Sequence, residues 1–225
     1  MDLKSVALDG PSAAGKSTMA RRAAGRFGFI YVDTGALYRV VGLHTLRSGV
    51  SSKDQEAVIK LLPEIRIGMM YDPEGVQRML LGSDDVTDAI RTPEVSVFAS
   101  DTSAMPPVRA FLLSMQRDMA ERYDVIMDGR DIGTVVLPNA GLKVFLTAQL
   151  ETRSKRRYLE LMQRDIHTTV EEVARDMALR DKNDSERAAC PLKAADDAVF
   201  LDTTDMGFDE SFNALCELIS GRFGL

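Results

Sequence analysis

The sequence predicts an α/β fold with a largely parallel sheet covered by helices on both faces. Three observations carry this expectation. Short apolar runs alternate with longer amphipathic segments, the pattern of strands buried on both sides. The first run, Val6-Ala7-Leu8, leads directly into G-P-S-A-A-G-K-S at Gly10 to Ser17. Polar clusters then follow strand-like runs at Asp9-Gly10, Asp33-Thr34 and Asp128-Gly129-Arg130-Asp131. Ligands of such sheets collect at the carboxyl ends of the strands, which places these three signals on one rim.

The elements follow in order. Val6 to Asp9 reads as the first strand, and Lys16 to Phe27 as the first helix, with Met19, Ala23 and Phe27 on its apolar face. Phe29 to Val32 is the second strand. Thr34 is expected to cap a helix running to about Leu46, and Ser52 to cap another that Pro63 ends. The rhythm then changes. Ile65 to Tyr71, a D-P-E-G turn, Val76 to Leu81, a G-S-D turn and Asp85 to Thr87 read as short antiparallel strands. Helices resume at Pro93 to Ala104 and Pro107 to Arg122, followed by buried strands at Val125 to Met127 and Lys143 to Leu146. A basic helix from Glu151 to Arg164, a second from Val170 to about Lys182, a last strand at Val199 to Leu201 and a helix from Phe208 to Arg222 complete the chain. The expected organisation is one domain with three parts: a core (about 1–62, 106–150 and 190–225), a β insertion (about 63–105) and a lid (about 151–189).

Bulk properties exclude several classes. At 225 residues, 45% hydrophobic and 28% charged, the chain has an ordinary globular composition. Its first apolar run is too short for a signal peptide, and no stretch reaches membrane-span length. The two cysteines, Cys190 and Cys216, lie far from any metal-ligand spacing; Cys216 falls in register with Phe212, Leu215 and Ile219 on a helical face. A cytoplasmic, reducing setting is expected. Net charge of −6 argues against a general nucleic-acid or membrane-surface binder. Yet 20 of the 28 basic residues are arginine, the side chain whose planar fork suits small phosphate ligands.

The chemistry begins at the glycine-bounded loop. A strand, a G-x-x-x-x-G-K-[ST] loop and a helix aim backbone N–H groups and a helix N-terminus at one point. Gly10, Pro11, Ser12, Ala13, Ala14, Gly15, Lys16, Ser17 and Thr18 are therefore read as the triphosphate-binding segment, with Lys16 as a point charge and the Ser17 hydroxyl as a Mg²⁺ ligand. Ala13 stands where many such loops carry glycine, and alanine tolerates positive φ poorly. In D-T-G-A-L-Y-R (Asp33 to Arg39), a hydroxyl at a helix start and an arginine one turn in suit a second phosphate. In D-G-R-D-I-G-T (Asp128 to Thr134), an arginine flanked by carboxylates can clamp a phosphate and accept from a sugar or base. Asp128, Asp9 and Asp33 all compete to support Mg²⁺ through water. Arg180 to Arg187 carries mixed charge, and Arg153, Lys155, Arg156, Arg157 and Arg164 form a basic run.

Two anions that must meet need cations. Unit charges about 4 Å apart repel by about 4 kcal/mol at an effective dielectric of about 20, so phosphoryl transfer between two nucleotides calls for Mg²⁺, Lys16 and several arginines. Both histidines, His44 and His167, sit outside these clusters, and an acceptor that is already an anion needs no general base.

With these residues assembled, the chain resembles the bacterial cytidylate kinases over essentially its whole length. The resemblance rests on D-G-P-S-A-A-G-K-S-T, D-T-G-A-L-Y-R, the β insertion, I-R-T-P-E-V (Ile90 to Val95), D-G-R-D-I-G-T and R-D-x-x-D-x-x-R (Arg180 to Arg187), in that order. It implies a P-loop, adenylate-kinase-like fold with a five-stranded parallel sheet, the β insertion and a helical lid. ATP is implied at Gly10 to Thr18, with CMP or dCMP as acceptor. By the same resemblance Thr34, Arg39, Arg130 and Arg187 approach the acceptor phosphate, Arg180 and Asp184 the pentose, and Ser100, Arg109 and Asp131 the cytosine. Lys16, Arg130, Arg157 and Arg187 are the implied catalytic cations, Arg157 coming from the lid. The resemblance further implies a monomer without a stable nucleic-acid partner. Thr34 stands where serine is common, adding a methyl beside the acceptor. Other readings stay open at this point: another small-metabolite kinase of the shikimate type or a UMP kinase, and a nucleotide-sensing RNA-binding regulator. The β insertion and the full motif set count against the first two. The acidic charge and the lack of aromatic-rich RNA signatures count against the third.

Overall fold

The first apolar run becomes strand β1 (Ser5–Asp9), in the middle of a five-stranded sheet. The computed structural model describes residues 3–163 and 165–225; Arg164, which closed the basic run, lies outside the described residues. In chain order the helices and strands after β1 are α1 (Lys16–Phe27), β2 (Ile30–Asp33), α2 (Thr34–Arg47), α3 (Gln55–Leu61), β3 (Ile67–Tyr71), β4 (Gln77–Leu81) and β5 (Asp84–Asp85). There follow α4 (Pro93–Ser103), α5 (Pro106–Ala120), β6 (Val125–Gly129), β7 (Leu142–Thr147), α6 (Leu150–Met162), α7 (Val170–Glu186), β8 (Val199–Asp202) and α8 (Phe208–Phe223).

The large sheet has the order β2-β6-β1-β7-β8, and β1 pairs in parallel with both β6 and β7. Its register sets Asp9 opposite Gly129 and Leu8 opposite Asp128. The two polar clusters that follow β1 and β6 therefore emerge side by side. The expected antiparallel insertion is a three-stranded sheet, β3-β4-β5.

The chain forms two compact units: Met1–Tyr31 with Arg122–Leu225, and Val32–Glu121. Each has its own apolar core. In the first, Met19, Ala20 and Ala23 of α1 and Phe212, Leu215, Cys216 and Ile219 of α8 pack with Val6, Leu8, Val144 and Leu146 of the sheet. Each fully buried aliphatic or aromatic side chain there contributes about 1.5–3 kcal/mol. Cys216 lies in this core, as its helical register predicted. In the second unit, Leu37, Val40 and Val41 of α2 pack with Val58, Met79, Ile90, Val95, Val108 and Leu112. Helices α2 and α4 approach closely there, because a Cβ on Gly42 would meet the Ala99 nitrogen at 2.8 Å.

Three local expectations need correction. Asp33, not Thr34, caps α2: its carboxylate accepts from the Ala36 N–H, and Thr34 is the first helical residue. Asp54, not Ser52, caps α3, while the Ser52 hydroxyl donates to Asp101 at 2.6 Å. Helix α7 continues to Glu186, past Lys182, so Arg180 to Glu186 is helix. Beyond β6, Ile132–Val136 forms a π-helical turn that periodicity did not signal. Among the described residues no helix is long and apolar enough to cross a membrane.

Candidate active site

In the first unit the site grows from the carboxyl ends of β1 and β6. Gly10 has φ +147° and Gly15 φ +94°, conformations that an L side chain rarely adopts, and at Gly10 a side chain would also meet the Leu146 backbone. Ala13 adopts φ +55°, the conformation for which alanine is poorly suited. Lys16 is buried and donates from Nζ to the Pro11 carbonyl at 2.6 Å. Burial holds its ammonium well below the usual lysine range; the Arg130 and Arg180 charges push it the same way, against Asp128 and Asp9. Ser17 donates to Asp128 at 2.7 Å, and the other oxygen of Asp128 accepts from the Tyr31 hydroxyl at 2.9 Å. Thr18, next in α1, is exposed.

Asp9 faces a different task. Its two oxygens accept from the Ile132 and Gly133 N–H groups at 2.8 and 2.7 Å. Burial raises its carboxyl to about 6, although both backbone donors favour the ionised form. Asp9 thus holds the start of the π turn, and so the loop carrying Arg130 and Asp131. Of the three acids in competition for a metal-supporting role, Asp128 is the one against the Ser17 hydroxyl. Asp33 belongs to the other unit.

The arginines of this unit are held by carboxylates. Arg130 donates through Nε to Asp184 at 2.8 Å, and Arg187 reaches Asp131 at 3.5 Å. The Arg187 Nε also donates to the Cys190 carbonyl. Burial alone would raise the Asp184 carboxyl, but Arg130, Arg180 and Arg187 overcome it and hold it below the usual range. Lys16, Arg130, Arg180 and Asp184 thus influence one another's charge, as expected of one polar cluster. Arg157 lies apart from these pairs, half-buried on α6 with its guanidinium on Glu160 at 2.8 Å.

Arg153, read from sequence only as one member of the basic run, is held in place. It is buried, donating to the Ala148 carbonyl at 2.7 Å, the Ser12 carbonyl at 3.1 Å and Asp181 at 2.7 Å. The other Asp181 oxygen accepts from the Ser12 N–H at 3.4 Å. Together these two residues grip both backbone groups of one phosphate-loop residue. Arg156 is also engaged, donating to the carbonyls of Thr203 and Met206.

In the second unit, Thr34 is buried at the start of α2, with Arg39 in its second turn. Asp33 is clamped on every side: Ala36 donates to Oδ1 at 3.0 Å, Arg91 to Oδ2 at 2.9 Å, and its own N–H donates to Gln77 Oε1 at 2.9 Å. Burial would raise its carboxyl, but Arg91 and Arg39 bring it below the ordinary value. Arg109 is buried on α5, lies over the Tyr38 ring at 5.4 Å and donates to the Ser103 carbonyl at 3.3 Å. The Ser103 hydroxyl donates to the Ser100 carbonyl at 2.8 Å, so Arg109 and Ser100 are tied to one helix end. Tyr31, Gln77 and Arg91 were not assigned roles from sequence. Arg91 stands inside I-R-T-P-E-V and was within reach; Gln77, in an ordinary strand, carried no signal.

A phosphate loop at the end of a central parallel strand, with a buried lysine and a hydroxyl on an acidic neighbour, defines a P-loop kinase type of nucleotide-binding domain. An uncharacterized protein of Eubacterium ventriosum shares the fold with a TM-score of 0.51 at 11% identity, covering 97% of this chain and 99% of its own. The family model for cytidylate kinase matches residues 6–221. The cytidylate kinase of Caldicellulosiruptor bescii is 44% identical over 95% of this chain and 94% of its own length. That of Exiguobacterium sibiricum is 45% identical over 96% of each. The chain belongs to the cytidylate kinase family.

Proposed function

We propose that the chain transfers the γ-phosphoryl group of ATP to CMP and dCMP, giving ADP with CDP or dCDP. One observation carries the chemistry: buried Lys16, at the end of the phosphate loop, has the charges of Arg130 and Arg180 within reach. Cations gathered beside a helix N-terminus suit a polyanion.

An oxygen of the acceptor phosphate attacks the γ-phosphorus in line. The bond from that phosphorus to the β–γ bridging oxygen breaks, and the electron pair leaves with ADP. Lys16 and the loop N–H groups from Gly10 to Thr18 hold the donor phosphates. Arg130, Arg187, Thr34 and Arg39 act on the acceptor phosphate, and Arg157 acts on the transferred group. Arg180 and Asp184 hold the pentose. Arg109 and Ser100 face the cytosine acceptors, and Asp131 accepts from the exocyclic amine.

Mg²⁺ arriving with ATP fits the residues present, because it takes hard oxygen ligands and keeps most of its waters. Ser17 would ligate it, with Asp128 behind through water, and it would supply neutralisation of phosphate charge.

An ADP-release assay with Mg-ATP and CMP, dCMP, UMP, AMP, GMP or shikimate tests this reading. CMP and dCMP should turn over well. UMP should be at least about 100-fold poorer, because its 4-carbonyl would face the Asp131 carboxylate instead of donating to it. Preference for a purine nucleotide or for shikimate would overturn the assignment of Ser100, Arg109 and Asp131.

A further inference from the structure

We propose that Gln77 and Arg91 are positioning residues that set the acceptor-phosphate grip of Thr34 and Arg39 by clamping Asp33. This rests on the reading of the protein as a CMP kinase.

The geometry starts from the backbone. Strand β2 ends at Asp33, and α2 begins one residue later. Gln77, on β4, supplies both halves of a peptide-like partner there: Oε1 accepts from the Asp33 N–H at 2.9 Å, and Nε2 points to the Asp33 carbonyl at 3.5 Å. An amide side chain thus continues the hydrogen bonding that a neighbouring strand would give. Both residues are buried, so water cannot replace the lost partner cheaply.

The charge on Asp33 is handled separately. Arg91, from the short helical turn before α4, donates to Oδ2 at 2.9 Å, while Oδ1 caps α2. Arg39 lies close by, since a Cβ on Gly35 would sit 3.4 Å from its Nη1 and 3.2 Å from Asp33 Oδ1. Two guanidinium groups therefore stand beside one carboxylate. The bond from Arg91 holds that carboxylate at the start of α2, and with it the turn that carries Thr34 and Arg39. Without Arg91, the Asp33 carboxylate would shift and disturb the hold of that turn on the acceptor. Gln77 fixes the backbone of Asp33; Arg91 fixes its side chain.

The test compares wild-type protein with Arg91→Ala, Arg91→Lys and Gln77→Leu, measuring kcat and KM for CMP and for ATP separately. Arg91→Ala should raise the KM for CMP about 10- to 100-fold, the range for losing a hydrogen bond to a charged group, with the KM for ATP within about twofold. Arg91→Lys should restore most of the CMP affinity, since it returns a cation to Asp33. Gln77→Leu should show the same split between CMP and ATP. Arg91 is far more exposed than Gln77, so its variants remain informative should Gln77→Leu fold poorly. Equal losses for both substrates, an unchanged KM for CMP, or no rescue by lysine would overturn the clamp while wild-type turnover of CMP stands. Absence of wild-type turnover would overturn the kinase reading, and the clamp with it.

Discussion

Replacing Lys16 with methionine is expected to lower kcat by at least about 100-fold while raising the melting temperature of the nucleotide-free protein. The catalytic loss follows from the role of the ammonium. A preorganised cation aimed at the transferring phosphoryl group is worth about 3–4 kcal/mol or more in a water-excluded site. The gain in stability follows from burial. Lys16 is 5% exposed, and burial pushes its proton affinity down, with Arg130 and Arg180 adding to the effect. Its folded pKa lies below its unfolded one, so the folded state holds the proton less well. Keeping the group charged near neutral pH therefore costs stability, a cost that disappears as pH rises toward the unfolded value. Methionine fills the space without that cost, and the loss of the bond to the Pro11 carbonyl offsets only part of the gain. A net gain of about 1–2 kcal/mol is expected, or several degrees for a chain of this size. Parallel melts and single-turnover assays check both halves. A variant that keeps a tenth of wild-type turnover would remove Lys16 from the chemistry, and one that melts lower would remove the charge argument.

The second large effect is structural. Gly10→Ala should cost about 4 kcal/mol or more and leave little folded protein. At φ +147° the glycine sits where an L-residue is strained, and an added Cβ would overlap the Leu146 carbonyl oxygen and lie 3.0 Å from its carbon. Leu146 belongs to β7, which pairs directly with β1, so the backbone cannot yield without parting two strands. Chemical denaturation with circular dichroism measures the loss. A variant within 1 kcal/mol of wild type would show that the loop turns by another route. Ala13 illustrates the contrast, because the same loop carries an alanine at φ +55°.

How much of this was legible in the sequence depends on the range of the interaction. Helix α1 was read to the residue because its apolar spacing is regular and Gly15 and Gly28 bound it. The pairing of the Asp9 and Asp128 clusters followed from parallel-sheet logic, and the β1–β6 register bears it out. The caps of α2 and α3 were misplaced by one and two residues. Adjacent Asp33 and Thr34 can both cap, and only the reach of the Asp33 carboxylate to Ala36 decides. Helix α7 was cut short because Lys182 to Glu186 has no apolar face to extend; Asp184 is buried there by its pairing with Arg130. Arg153 stood in the sequence as one more member of the basic run. Its partners, Ser12 and Asp181, lie 141 and 28 residues away, a separation at which local pattern is silent. The same limit hid Gln77, whose buried contact with Asp33 spans 44 residues.

The most direct test of the account is to follow the γ-phosphate of labelled ATP in the presence of Mg²⁺ and CMP. The account predicts that the label appears on the β-phosphate of CDP in amounts equal to the ADP formed, with none on the protein. Release of the label as inorganic phosphate with CMP unchanged, or its retention on a side chain, would contradict direct transfer between two nucleotides.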